Sequence, residues 1–153
     1  PGRRGRRSPR ERLDAPRKSG IMSIINPESL TSPRGYSNGI LHSSGALLSI
    51  AGQVAWDREE QIVSDVFSEQ FDQALGNVLA VVTEAGGTPE SIVKLTIFVT
   101  DASAYLAQRK QIGIAYRRRM GKHFPAMTLV QVAALIEAGA QIEIEGLAVI
   151  DGQ

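Results

Sequence analysis

The chain has 153 residues, of which 42% are hydrophobic, so we expect one domain with a buried core and not two of comparable size. It contains no cysteine, which excludes disulfides, thiolate nucleophiles and cysteine-based zinc sites. Its apolar runs are shorter than the roughly 18 residues of a membrane-spanning helix, and the N-terminal stretch is not of signal-peptide type. A cytoplasmic protein without a membrane partner is therefore predicted.

The charge is concentrated at the N-terminus. The first twenty residues, "PGRRGRRSPRERLDAPRKSG", hold eight of the 17 basic residues and two of the 16 acidic ones. Because they have few apolar side chains, we expect residues 1–21 to be a disordered tail and residues 22–153 to form the domain. Clustered arginines could tether nucleic acid, but no aromatic residue accompanies them to stack on bases. An upstream extension before a start at Met22 is favoured, and a nucleic-acid partner is not expected.

The first predicted elements are a hairpin and a helix. "YSNGILHSSGALLSIAGQV", from Tyr36, contains two apolar stretches separated by the turn-like "SSG", which favours a hairpin. In "SDVFSEQFDQALGNVLAVVTEAGG", apolar residues recur at helical spacing. Ser64 or Asp65 is the expected cap of this helix, and Gly86–Gly87 its end.

The second half alternates strands with one more helix. "SIVKLTIFVT" alternates as a strand does, and a helix is predicted from Asp101 to Gly121. Arg117, Arg118 and Arg119 in its last turn suit the helix dipole, an explanation favoured over a binding patch. "AMTLVQVA" and "QIEIEGLAVI" are the last strands. Together these elements predict an α+β fold, a two-layer sandwich with helices on one face of a sheet whose bare apolar face favours self-association.

Several segments resemble the RidA/YjgF family of reactive-intermediate deaminases: "YSNGI", "AGQV", "IVKLTIFVTD", "FPAMTLVQVA" and "IEIEGLAV", in order from about residue 24 to residue 150. The resemblance implies a chorismate-mutase-like fold assembled as a homotrimer with a barrel-like core. It also implies a small-molecule metabolite bound in intersubunit clefts, and hydrolysis of 2-imino or enamino acids to 2-keto acids and ammonia without a cofactor or metal.

The chain departs from the family pattern where the ligand is expected. The family's arginine after "FPA", which grips the substrate carboxylate, is replaced by Met127. The other departures are Leu129 for a cysteine, Ala51 for a serine and Gly113 for an asparagine, while Tyr36, Gly52 and Glu143 match. A thioether cannot form the paired, charge-assisted hydrogen bonds of a guanidinium, so carboxylate recognition at this position is expected to be lost. Arg34, two residues before Tyr36, could supply the charge from the other wall.

The expected catalytic residues are Glu143, whose carboxylate could hold a water for attack on an imine carbon, and Tyr36, whose hydroxyl could contact the ligand. Glu143 shares a strand face with Glu145, which is equally consistent with a solvated face, and Tyr36 could equally pack at an interface. The expected substrate-binding residues are Arg34, Ala51, Gly52, Met127, Thr128 and Leu129.

Three functions remain open at this stage. The favoured one is a metabolite-binding member with altered or absent 2-imino acid deaminase activity. The second is a working enamine or imine deaminase, a hydrolase of C=N bonds, that uses Arg34 or backbone donors. The third is a non-enzymatic trimer that contacts RNA through its basic tail.

Overall fold

The computed structural model describes residues 22–151, and the predicted tail at residues 1–21 lies outside them. A four-stranded sheet is the centre of the fold. The elements in chain order are β1 (Met22–Ile25), β2 (Gly39–His42), β3 (Ala46–Gln53), α1 (Phe67–Glu84), β4 (Ile92–Val99), α2 (Ala102–Ala107), α3 (Arg109–Met120), β5 (Ala126–Gln131) and β6 (Ile142–Ile150). A short 3-10 turn, Pro89–Ser91, precedes β4. This is the α+β class predicted from the sequence.

The sheet has the order β3-β6-β4-β5, in which only the β4–β5 pair is parallel. One face packs on the helices, because the buried residues of the two central strands point there. In β6 these are every second residue from Ile142 to Ile150, and in β4 they are Ile92, Leu95, Ile97 and Val99. The residues between them point to the opposite face, which no helix covers within residues 22–151. Glu143 and Glu145 both lie on that open face, as the alternation predicted.

The predicted hairpin is wrong. Strand β2 pairs with β1 in a separate two-stranded sheet, in the register Met22↔His42, and β3 pairs with β6 instead. The partner of β2 is β1, which precedes the predicted hairpin and had not itself been predicted. The partner of β3 is β6, which lies near the end of the chain. The turn residues "SSG" therefore connect two strands that belong to different sheets.

The helix boundaries differ in two places from the prediction. Val66, and not Ser64 or Asp65, is the N-cap of α1, and the Ser64 Oγ accepts a hydrogen bond from the Val66 amide at 3.0 Å instead. The predicted second helix is interrupted at Gln108, which separates α2 from α3. Asp101 does cap it, accepting bonds from two amides, and Gly121 ends it with a φ of 60°.

No helix within residues 22–151 is both long enough and apolar enough to cross a bilayer.

Candidate functional site

A cavity of about 410 Å³ opens between the helical layer and the edge of the sheet at β5. We call it the Met127 cavity. Its lining residues are Arg34, Gly35, Phe71, Ile97, Tyr105, Arg109, Ile112, Gly113, Tyr116, Arg117, Phe124 and Met127. They come from α1, β4, α2, α3, β5 and the loops before β2 and β5, so the cavity depends on the tertiary arrangement of the whole layer.

The loop that carries Arg34 is held beside the start of β5 by Ser37. The Ser37 amide donates to the Pro125 carbonyl at 3.0 Å, and its hydroxyl donates to the Phe124 carbonyl at 2.6 Å. Ser37 is buried and forms a parallel bridge with Ala126. Gly35, with a φ of 76°, makes the turn that a residue with a side chain would adopt only with strain. These contacts bring Arg34 and Met127 to the same cavity.

Aromatic side chains form one wall of the cavity. The rings of Tyr116 and Phe124 are stacked, with centroids 5.4 Å apart and an angle of 7° between their planes. The Tyr116 hydroxyl donates to the His123 carbonyl at 2.9 Å, and burial raises the pKa of Tyr116. Its proton is therefore retained at neutral pH, so Tyr116 is a fixed donor and structural wall rather than a general base.

Met127 lies on the helix-facing side of β5. It pairs in register with Leu95 of β4, and its side chain is half-buried against the hydrophobic core. Because neighbouring residues on a strand point to opposite faces, Leu129 shares the side of Met127 and Thr128 does not. A charged residue at position 127 would project into the cavity, whereas Met127 presents a thioether there.

The charge of the cavity comes from elsewhere. Arg34, Arg109 and Arg117 all line it, and its lining includes no acidic side chain. Arg34 enters from the loop before β2, and the other two project from α3. The absence of a cation at position 127 therefore coexists with three cations around the same cavity.

The structure brings together only some of the residues expected at the site. Arg34, Gly113 and Met127 line the cavity, and Tyr36 follows Gly35 directly with 40% of its surface exposed. The others lie outside its lining, within one chain: Ala51, Gly52, Thr128, Leu129 and Glu143. Thr128 is on the open face of the sheet, where its hydroxyl accepts a bond from the Lys94 ammonium at 3.4 Å.

Glu143 and Gly52 are in direct contact on the open face. A Cβ atom added to Gly52 would collide with the Glu143 carboxylate. Here the pairing of β3 with β6 shifts register between Ile50 and Gln53, so a bulge in β3 places Gly52 against Glu143. The carboxylate thus has a defined position, but it is on the face of the sheet opposite Met127.

Arg109 and Arg117 were not predicted as site residues. Both lie in α3 and are separated from Gly113 by four residues each, a spacing that aligns all three on one side of a helix. The four-residue spacing is visible in the sequence and places these residues on one side of the helix. It was not used because the arginine triplet was attributed to the helix dipole. Within the described part of the chain, residues 22–151, no cluster of His, Asp or Glu could hold a metal ion.

Comparisons with known proteins agree with this architecture. The family model described as "Endoribonuclease L-PSP" matches residues 27–150. A protein of Salmonella typhimurium named 2-iminobutanoate/2-iminopropanoate deaminase is 34% identical over 108 residues, covering 69% of this chain and 80% of that protein. The human protein of the same name is 33% identical over 101 residues, covering 65% of this chain and 70% of that protein.

A solved structure is also similar. A protein of unknown function from the conserved Rid family of Yersinia pestis shares 32% sequence identity and superposes with a TM-score of 0.75, over 84% of this chain and 98% of that one. The family match covers nearly all of the described residues, and relatives and structure agree with it. The chain therefore belongs to the RidA/YjgF family, whose family model carries the description Endoribonuclease L-PSP.

Proposed function

We propose that this protein binds a small metabolite in the Met127 cavity and that its activity as a 2-imino acid deaminase is reduced or absent. The observation that carries the proposal is that Met127 lines a cavity of about 410 Å³, within the size range of small-molecule sites. The family resemblance expects an arginine at this position. The same cavity therefore remains available to a ligand, with a different chemistry at one wall.

The expected loss follows from the hydrogen bonds that Met127 cannot make. A charge-assisted hydrogen bond contributes about 1.5–3 kcal/mol, which corresponds to roughly a tenfold to hundredfold change in affinity. Two similar proteins are named 2-iminobutanoate/2-iminopropanoate deaminases. Compared with a protein that has arginine at position 127, this chain is therefore expected to bind such a substrate with an affinity lower by that factor.

The proposal includes a homotrimer with ligand clefts between subunits. It is supported by the open face of the sheet, where Leu47 is 67% exposed and Val130 is 41% exposed. A neighbouring subunit would cover the exposed apolar residues of this face and would meet its polar residues as well. In such an assembly Glu143, Gly52 and Thr128, which lie on this face, would belong to the interface or to a cleft completed by the neighbouring subunit. Light scattering at several protein concentrations measures the oligomeric state directly.

The test is ammonia release from 2-iminobutanoate generated in situ. The wild type, Met127→Arg and a no-protein reaction are compared, with Leu106→Arg as the matched control, because Leu106 is 61% exposed on α2 and outside the cavity. We expect at least a tenfold gain in rate for Met127→Arg over the wild type and none for the control. A wild type that releases ammonia as fast as an active Met127→Arg variant would contradict the proposal of reduced activity.

A working deaminase is the second candidate, because Arg34 lines the same cavity as Met127. A guanidinium from the loop could hold a substrate carboxylate from the opposite wall. In this case the wild type would release ammonia, and Arg34→Ala would raise the KM. An Arg34→Ala variant with unchanged ligand affinity and unchanged turnover would rule this candidate out.

A further inference from the structure

The three consecutive arginines at the end of α3 have different environments. Arg118 and Arg119 both bind Asp72 of α1, with nitrogen–oxygen distances of 2.8 and 2.7 Å. Arg117 instead lines the Met127 cavity. The triplet therefore divides into a pair that joins two helices and a single arginine that lines the cavity.

The cavity side of α3 is shaped for a guanidinium. Arg109, Gly113 and Arg117 follow one another at four-residue intervals, so they share one side of the helix. The Arg117 Nη2 lies 3.9 Å from the position that a Cβ atom would take on Gly113. Arg117 thus extends back across Gly113, and the missing side chain leaves the wall of the cavity open between the two arginines.

The three arginines of the cavity have no anionic partner in the described chain. Among residues 22–151 no ion pair or hydrogen bond is formed by the side chains of Arg34, Arg109 or Arg117, and no acidic residue lines the cavity. Like charges that line one cavity without a counter-charge repel one another, which costs stability. A bound anion would remove that cost and would use the guanidinium groups as paired donors.

We propose that the Met127 cavity selects a small organic molecule with two anionic groups. The inference rests on the proposed function, which places a metabolite there, and adds the class of that metabolite. One anionic group is held by Arg109 and Arg117 from α3, and the other by Arg34 from the facing loop. The apolar floor formed by Phe71, Ile97, Ile112 and Met127 accommodates the carbon skeleton between the two charged groups.

Anion binding in this arrangement does not require a cation at position 127. The positive charge of the cavity lies on α3 and on the loop before β2. A ligand with one charged group would engage only one of these two sides, whereas two groups separated by a short carbon chain would engage both sides. Dicarboxylates and phosphate esters share this chemistry.

The experiment is isothermal titration calorimetry on the full chain with four probes. They are uncharged 2-oxobutanamide, the monoanion 2-oxobutanoate, the dicarboxylate 2-oxoglutarate and the phosphate ester phosphoenolpyruvate. Each is titrated into the wild type, Arg109→Gln, Arg117→Gln and Arg118→Gln. The last variant is the matched control, since it removes the adjacent guanidinium, which pairs with Asp72 outside the cavity.

We expect at least one of the two probes that carry two anionic groups, 2-oxoglutarate and phosphoenolpyruvate, to bind about tenfold more tightly than 2-oxobutanoate. Arg109→Gln and Arg117→Gln should weaken that binding by about tenfold, whereas Arg118→Gln leaves it unchanged. The tighter binder of these two probes shows whether the second anionic group is a carboxylate or a phosphate. The inference would be overturned if 2-oxobutanoate or 2-oxobutanamide bound as tightly as 2-oxoglutarate and phosphoenolpyruvate, and if Arg109→Gln and Arg117→Gln did not change that binding. The proposed function would then remain intact. No binding of any probe would overturn both.

Discussion

The contact between Asp72 and Arg119 joins α1 to α3, the helix that carries one wall of the Met127 cavity. The Arg119 Nε donates to Asp72 Oδ1 at 2.7 Å and its Nη2 donates to Oδ2 at 2.8 Å. Arg118 binds the same carboxylate through one nitrogen. We expect Asp72→Ala to destabilise the protein mainly through the loss of the Arg119 pair.

The size of the effect depends on exposure. The side chains of Asp72 and Arg119 are 22% and 29% exposed, whereas that of Arg118 is 66% exposed. Exposed ion pairs contribute about 0.2–1 kcal/mol and hydrogen bonds to charged groups about 1.5–3 kcal/mol. The half-buried, two-bond pair with Arg119 should therefore couple by about 1–2 kcal/mol, and the pair with Arg118 by less than about 0.5 kcal/mol.

A double-mutant cycle measured by urea unfolding separates these contributions. Asp72→Ala is combined in turn with Arg119→Met and with Arg118→Met, which keep much of the aliphatic stem of each arginine. Protein concentration is held constant, because the stability of an oligomer depends on it. Equal coupling of Asp72 to the two arginines would refute the argument from exposure, and zero coupling to Arg119 would refute the contact itself.

The coupling should also depend on pH. The hydrogen bond from Arg119 holds the pKa of Asp72 below its ordinary value of 3.8, although burial opposes the shift. A carboxylate whose pKa is lowered in the folded state stabilises the fold above the unfolded-state value. The Asp72–Arg119 coupling is therefore expected in full at neutral pH and should disappear as the pH falls below 3.8 and through the lower folded-state value. A coupling that grows on acidification would contradict this sign.

Two further predictions concern glycines that leave room for charged side chains. A Cβ atom at Gly76, inside α1, would lie 2.7 Å from Arg119 Nη1, so Gly76→Ala should gain up to about 1 kcal/mol of helix propensity only when Arg119 is also replaced by Met. Urea unfolding of both backgrounds checks this, and an equal gain in the two would be inconsistent with the contact. Gly52→Ala should cost about 1–3 kcal/mol, because the Glu143 carboxylate must move, and Glu143→Ala should relieve most of that cost. The same unfolding assay tests it, and an equal cost of Gly52→Ala with and without Glu143 would argue against the collision.

Local pattern alone was sufficient for some regular elements of the domain, namely α1, β4 and β6. The two-residue period of β4 and β6 and the helical period of α1 predicted their type and buried face, because these depend on a few successive side chains. Asp101 and Gly121 were also identified from chemistry that acts within one turn of a helix. Met127 was found through the family resemblance, as the position where a charge is missing.

Strand partners and helix junctions required the tertiary structure. The partners of β2 and β3 were mispredicted because each pairs with a strand from another part of the chain, β1 and β6 respectively, and not with its neighbour across the turn. The start of α1 was misplaced for a similar reason. Its Ser68 amide donates to Gln108 Oε1 at 2.9 Å, so a residue 40 positions away satisfies the donor that a local cap was expected to satisfy.

The candidate site shows the same division between local and long-range information. The sequence by itself determined that the protein has no cation at position 127 and that three arginines end one helix. Only the tertiary structure decided that two of them bind Asp72 and that Arg117 joins Arg34 and Arg109 around the cavity. The direction of a long side chain is set by the surfaces that pack around it, and those surfaces come from residues far away in the chain.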